Sequence, residues 1–251
     1  MKSRKPKTPR TGLDVLGGMT VAEALEVYRT VYRSRRIDDR QILLKKMGRA
    51  HFQINGAGHE LAGAVGARHL RRGHDWFILY YRDRGMATGL GFTAEEQLME
   101  ATGAAAEVSS GGRQMPNHWT RPEWNVLTPS SPTGTQYLHA VGVAEAGQII
   151  RSQALDLPAA GDEIVYVSSG EGTTSQGEFW EALNTASLRR LPVLFSVQDN
   201  EYAISVHVKE QTAGGSISDA FAAFPGLTVI RADGTDLADS ERAWRQAVDH
   251  L

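Results

Sequence analysis

The stretch from Ile164 to Val197 constrains the fold more than any other part of the chain. Ile164 to Ser168 is β-branched and apolar with little polar alternation, the pattern of a strand buried on both faces. Gly170-Glu171-Gly172 then reads as a tight turn. Ser175 and Glu178 have capping-box spacing, and Phe179, Leu183 and Ala186 give the following helix an apolar face. Pro192 ends the connection, and Val193 to Val197 reads as a second buried strand. Strand, glycine turn, helix and strand make one βαβ unit, which requires parallel neighbours. The expected fold class is α/β, a parallel sheet flanked by helices.

The flanking sequence supplies further elements. Thr20 and Glu23 form a capping box, and Val21, Leu25, Tyr28 and Tyr32 recur on one face of the helix they open. A second helix is expected over 60–70 and a short buried strand over 76–80. Thr93 and Glu96 open another helix, and 140–154 is alanine-rich and helical in pattern. Residues 227–230 are a third strand candidate. A last helix carries Leu237, Trp244, Ala247, Val248 and Leu251 on one face. Lys2, Arg4, Lys5, Lys7 and Arg10 make the start basic without the apolar core of a secretory signal, so 1–19 is expected as a disordered arm and 20–251 as one domain.

Composition removes several function classes. The 251 residues carry 22% charged side chains and a formal net charge of -2, so no excess of charge argues for nucleic acid or an anionic membrane. With no cysteine there can be no disulfide, thiolate metal site or cysteine nucleophile. No apolar run reaches the length of a bilayer span.

Ligands of open parallel sheets bind beyond the carboxyl ends of the strands. Gly170-Glu171-Gly172 and Asp199-Asn200 both fall there. The glycines permit close approach of backbone, and the helix start beyond them offers free N–H groups to a phosphate. Glu171 and Asn200 bring hard oxygen donors that suit magnesium, which takes its remaining ligands from phosphate and water. A Gly-x-Gly turn alone is as well explained by a structural turn. No Gly-Lys-Ser/Thr follows, so it is not a P-loop.

The spacing of Gly170-Glu171-Gly172 from Asp199-Asn200-Glu201-Tyr202-Ala203-Ile204-Ser205 resembles the thiamin-diphosphate motif of 2-oxo-acid dehydrogenase alpha subunits, most closely the branched-chain type. Tyr80-Tyr81-Arg82-Asp83, Gly112-Arg113-Gln114-Met115-Pro116-Asn117-His118 and Ser130-Ser131-Pro132-Thr133-Gly134-Thr135-Gln136 are similar to further runs of that family, in the same order. The resemblance implies a thiamin-diphosphate-binding fold. It places Glu171, Asn200 and the Tyr202 carbonyl on magnesium. Tyr81, Arg82, Ser131, Thr133, Gly170, Gly172, Thr173, Gln198 and Ile204 would contact the cofactor. Ser130, Pro132, Thr135 and Gln136 would surround a structural potassium ion. It further implies oxidative decarboxylation of a branched-chain 2-oxo acid with acyl transfer to lipoyl groups, in a cytoplasmic complex of bacterial type, with an organellar matrix as the alternative. Two partners follow: a beta subunit carrying the glutamate that activates the cofactor, and a lipoyl acyltransferase. Pyruvate or acetoin as substrate, or a non-catalytic remnant or assembly subunit, remain alternatives.

Departures from the family bear on affinity. Gln198 stands where the branched-chain relatives carry an arginine, and Asp199 and Glu201 make the rim more acidic, which should weaken diphosphate binding. Leu251 falls inside an amphipathic helix with no glycine or asparagine cap, so the domain is expected to be cut short, with Trp244, Val248 and Leu251 left uncovered.

Overall fold

A computed structural model describes residues 16–159 and 161–251. The chain runs α1 (Val21–Lys46), α2 (Glu60–Gly66), β1 (Trp76–Ile78), α3 (Arg84–Leu90), α4 (Ala94–Thr102), β2 (Val126–Leu127), α5 (Thr135–Ser152), β3 (Val165–Gly170), α6 (Gly177–Arg189), β4 (Val193–Gln198), β5 (Tyr202–Ala203), β6 (Val206–His207), α7 (Val208–Gln211), α8 (Ile217–Ala220) and α9 (Leu237–His250). The main sheet has the order β2-β1-β3-β4, and every neighbouring pair is parallel. All its strands therefore end on one edge. β5 and β6 form a separate antiparallel hairpin.

The sheet is covered on both faces because its strands are apolar except at their carboxyl ends, where Ser168, Ser169 and Gln198 turn polar. Phe77, Leu79 and Tyr166 join one core with Ala64, Val65, Met86 and Trp244. Ile78, Val165 and Val167 join the other, with Tyr137, Ala140, Phe179 and Leu183. The first core lies against α2, α3 and α9, the second against α5 and α6. This is the layering expected of the α/β class.

Both N-terminal capping boxes form. Thr20 accepts from the Glu23 N–H while the Glu23 carboxylate accepts from the Thr20 N–H, and Thr93 and Glu96 repeat the pattern. Such a cap satisfies two orphan N–H groups of the first turn. Thr93→Ala should cost about 1 kcal/mol of stability in urea denaturation. A neutral result would show that Glu96, which also pairs with Arg121 at 2.5 Å, holds the helix start without the hydroxyl.

Several expectations are corrected. The run 227–230 is not a strand. The helix expected over 60–70 ends at Gly66. Ser175 does not cap α6: residues Glu171–Ser175 wind into a 3-10 turn, and Gln176 becomes the N-cap with no side-chain bond. Most of the expected arm, 1–15, lies outside the described residues. Its last residues do not fit the expectation, since Met19 is buried in the first core and Leu16 packs against it. Val21, Leu25, Tyr28 and Tyr32 share a face of α1, but that face is exposed; α1 buries Val27, Ser34, Ile37, Asp38, Gln41 and Leu44 instead. Trp244 is not left uncovered. It sits where an added Cβ on Gly66 would meet its ring at 2.3 Å, and its Nε1 donates to the Ala62 carbonyl at 2.9 Å.

Candidate cofactor site at the carboxyl edge of the sheet

The parallel order brings the ends of β1, β3 and β4 together. β3 and β4 pair to their last residues, Gly170 beside Gln198, so Glu171 and Asp199 emerge side by side. From β1 come Tyr80, Tyr81, Arg82 and Asp83. Tyr80 donates its N–H to the Ser168 hydroxyl at 3.0 Å, tying this segment to β3.

Arg82 lies over Gly170. A Cβ on that glycine would sit 3.1 Å from Arg82 Nη1 and 3.0 Å from the Tyr80 hydroxyl, so glycine is what lets the guanidinium approach the backbone. Arg82 Nη2 donates to the Tyr81 hydroxyl at 3.3 Å, and the guanidinium carbon lies 5.4 Å from the centres of both tyrosine rings. Its Nη1 is buried with no partner. Glu171 is fully buried, and neither carboxylate oxygen has a partner. Burial raises its pKa, and the Asp199 charge adds to this; the backbone N–H groups of Glu171 itself and of Asn200, which lie nearby without hydrogen-bonding geometry, and the Arg82 charge act in the opposite direction. An unpaired buried cationic donor and an unpaired buried carboxylate at one strand edge are costly unless a ligand completes them. A group with anionic oxygens would take up Arg82, and a cation would take up Glu171. Among the described residues no cluster of three or more His, Asp or Glu side chains is set to hold a metal, so a cation here would draw further oxygens from the ligand.

The remaining candidates are placed unevenly. Asn200 is exposed, and its Oδ1 accepts from the Tyr202 N–H at 3.0 Å. Thr173 is buried in the 3-10 turn and its carbonyl accepts from Gln176 N–H at 3.0 Å. Gly172 serves the hairpin: a Cβ there would meet the Ala203 Cβ at 2.7 Å. Ile204 occupies the first position of the two-residue hairpin turn at φ 57° and is fully exposed. Glycine is usual at such a position, and a β-branched residue held there is strained, a state that tends to mark function.

Gln198 differs from expectation. Its amide donates to Asp83, which also accepts from the Ser168 and Tyr166 hydroxyls and the Tyr80 N–H. Burial pushes the Asp83 carboxyl up to about 6 despite these donors. The Gln198 donor is thus engaged by Asp83, next in the chain to Arg82.

The loop after β2 reaches the same edge. Gln136 donates from Nε2 to the Ser168 carbonyl at 3.4 Å and accepts from the Gly134 N–H at 3.0 Å. Gly134, at φ 109°, backs onto Gln176 and Glu178 at the start of α6. Ser131, Pro132 and Thr133 are exposed, while Ser130 and Thr135 are half-buried. The Ser131 hydroxyl lies 2.7 Å from His118 Nε2.

Three contributors escaped sequence reading. Gln211 donates to the Gly172 carbonyl at 2.9 Å and clamps the 3-10 turn; no sequence signal marks it. His59 is half-buried, and burial together with the Arg82 charge lowers its pKa. Arg84 is fully buried behind the site and holds Asp38, Gln41, Gln97 and Asn117. Asn117 in turn donates to the Tyr81 carbonyl at 2.9 Å and so braces the Tyr81–Arg82 segment.

Comparison with known proteins agrees with this architecture. The family model described as dehydrogenase E1 component matches residues 28–251. The chain is 39% identical over 232 residues to the 2-oxoisovalerate dehydrogenase subunit alpha of Bacillus subtilis, covering 92% of this chain and 67% of that protein. It is 32% identical over 224 residues to the mitochondrial 2-oxoisovalerate dehydrogenase subunit alpha of Caenorhabditis elegans, covering 89% of this chain and 49% of that protein. It is 29% identical over 237 residues to the pyruvate dehydrogenase E1 component subunit alpha of Staphylococcus aureus, covering 94% of this chain and 58% of that protein. With a family match over most of its length and a parallel sheet whose strand ends gather the motif residues, the chain belongs to the dehydrogenase E1 component family.

Proposed function

We propose that this chain is the diphosphate- and metal-binding alpha part of a 2-oxo-acid dehydrogenase, acting on branched-chain substrates. One observation carries the reading: Arg82 Nη1 and both Glu171 oxygens are buried without partners at the same strand edge. That pairing of charges fits a magnesium diphosphate. Arg82 and Tyr81 would hold diphosphate oxygens, and Glu171, Asn200 and the Tyr202 carbonyl would hold magnesium. Gly170 and Thr173 would line the approach, Ile204 would offer an apolar surface, and Ser131 and Thr133 would meet the pyrimidine end. Ser130, Pro132, Thr135 and Gln136 would enclose the potassium ion.

Thiamin diphosphate, when bound, supplies a nucleophilic carbon and an electron sink for decarboxylation. The contribution of this chain is to bind and orient. The donor fork of Arg82 suits phosphate oxygens, and ionisation of Glu171 is favoured once a cation sits on it. The proposed activating glutamate lies on a beta subunit, and the acyl group passes to a lipoyl acyltransferase. On that basis the chain alone should release no carbon dioxide from 2-oxoisovalerate or pyruvate. The likeness to a pyruvate dehydrogenase subunit keeps pyruvate as the second substrate. No helix among the described residues is long and apolar enough to cross a membrane, and a cytoplasmic complex suits the bacterial likeness.

Calorimetric titration tests the binding reading. Thiamin diphosphate should bind only with magnesium present. Glu171→Gln, Asn200→Ala and Arg82→Met should each weaken binding roughly tenfold or more, the worth of a charge-assisted contact. Binding unchanged in the Glu171 and Asn200 variants would remove the metal assignment.

A further inference from the structure

His118 is 5% exposed and its ring is held at both nitrogens. Nδ1 lies 3.1 Å from the Pro116 carbonyl oxygen, and Nε2 lies 2.7 Å from the hydroxyl of Ser131. A carbonyl oxygen can only accept, so the proton of the neutral ring belongs on Nδ1. Nε2 is then a bare acceptor. The single proton of the Ser131 hydroxyl must point at it. What Ser131 offers on its exposed side is lone pairs alone.

We propose that His118 is a positioning residue that makes Ser131 an acceptor-only contact, so that this corner of the site selects a ligand N–H donor and disfavours a ligand oxygen. The inference rests on the thiamin diphosphate reading for the identity of that donor. With its pyrimidine ring neutral, that ligand has one group that bears N–H bonds, the exocyclic amino group of that ring. Ser131 is therefore matched to the pyrimidine end and mismatched to the diphosphate end, whose oxygens need donors such as Arg82. The imidazole is itself held by the backbone: the His118 N–H donates to Glu100 Oε1 at 2.7 Å, and the neighbouring Asn117 adopts φ 66°. The ring thus has little freedom to turn and exchange the two roles.

Two measurements on the full chain test this. Long-range proton–nitrogen correlation spectra should show the His118 ring protonated at Nδ1 with Nε2 bare. A spectrum with the proton on Nε2 overturns the proposal without reference to any ligand. In the second, magnesium-dependent binding of thiamin diphosphate is compared with binding of the analogue whose exocyclic amino group is replaced by a carbonyl oxygen. The unaltered chain should prefer the amino ligand. Ser131→Ala and His118→Phe should each reduce that preference about fivefold, the worth of one hydrogen bond, while affinity for inorganic pyrophosphate stays the same. A preference unchanged in His118→Phe overturns the proposal. If the unaltered chain binds neither ligand, the thiamin diphosphate reading fails, and the ring spectrum still decides which way the Ser131 proton points.

Discussion

Arg84→Met should lower the unfolding free energy by about 3–5 kcal/mol, the cost of leaving a buried charge without its partner. The guanidinium is completely buried. It donates from Nε to Asp38 at 2.8 Å, from Nη1 to Gln97 at 2.6 Å, and from Nη2 to Gln41 and Asn117 at 2.7 Å each. Those acceptors come from α1, α4 and the loop that carries His118, so one side chain joins three segments. Burial already raises the Asp38 pKa, with the Arg84 charge the main counterweight. Without that charge, Asp38 would take up a proton or remain as an uncompensated carboxylate. Arg84→Lys should recover only part of the loss, since an ammonium has three donors and lacks the planar fork. Because Asn117 braces the Tyr81 carbonyl, cofactor affinity should fall with stability. Urea denaturation provides the check, and a loss below about 1 kcal/mol in Arg84→Met would show that the network is not what holds these segments.

Glu100 should make the protein less stable as pH rises. Its carboxyl is buried at 3% exposure, Oε1 accepts from the His118 N–H, and Oε2 has no partner. Burial pushes its pKa up to about 7; the N–H groups of His118 and Asn117 oppose this, and the nearby Glu107 reinforces it. An unfolded glutamate titrates near ~4.3. Between those values the folded state keeps a proton that the unfolded state releases, so the unfolding free energy falls as pH rises. The fall begins near the unfolded pKa and is complete above the folded one, and it amounts to about 3–4 kcal/mol. Glu100→Gln removes this titration. The difference in stability between variant and unaltered protein should therefore shift by about 3–4 kcal/mol in favour of the variant between roughly pH 4 and 8. Any constant cost of burying the amide cancels in that comparison. A difference that does not change with pH would mean that Glu100 titrates as it does in the unfolded chain.

Both predictions concern residues that local pattern does not single out, and the reason is instructive. In α1 the apolar run Val21, Leu25, Tyr28 and Tyr32 is the visible helical stripe, yet that stripe faces solvent. The helix turns Ser34, Asp38 and Gln41 inward because Asp38 and Gln41 meet Arg84, which arrives from a segment far along the chain. A period of polar residues carries no sign of burial until its partner is known. Likewise Trp244 is covered because Gly66 leaves room for its ring, and the glycine and the tryptophan are distant in sequence.

The sequence by itself determined the class of fold. Apolar strands without alternation around a glycine turn and a helix permit only a parallel, two-sided sheet, and capping boxes mark helix starts through contacts three residues apart. It also determined which residues could carry the site, because parallel strands must deliver their following residues to one edge. Tertiary structure alone decided how those residues are used. The strand order sets Arg82 over Gly170 and leaves Glu171 unpaired. The contact with Asp83 turns Gln198 inward, and the seat of the loop after β2 brings Ser131 to His118. These are long-range contacts whose energies depend on burial and on which donor meets which acceptor, and neither quantity is a property of any short run of residues.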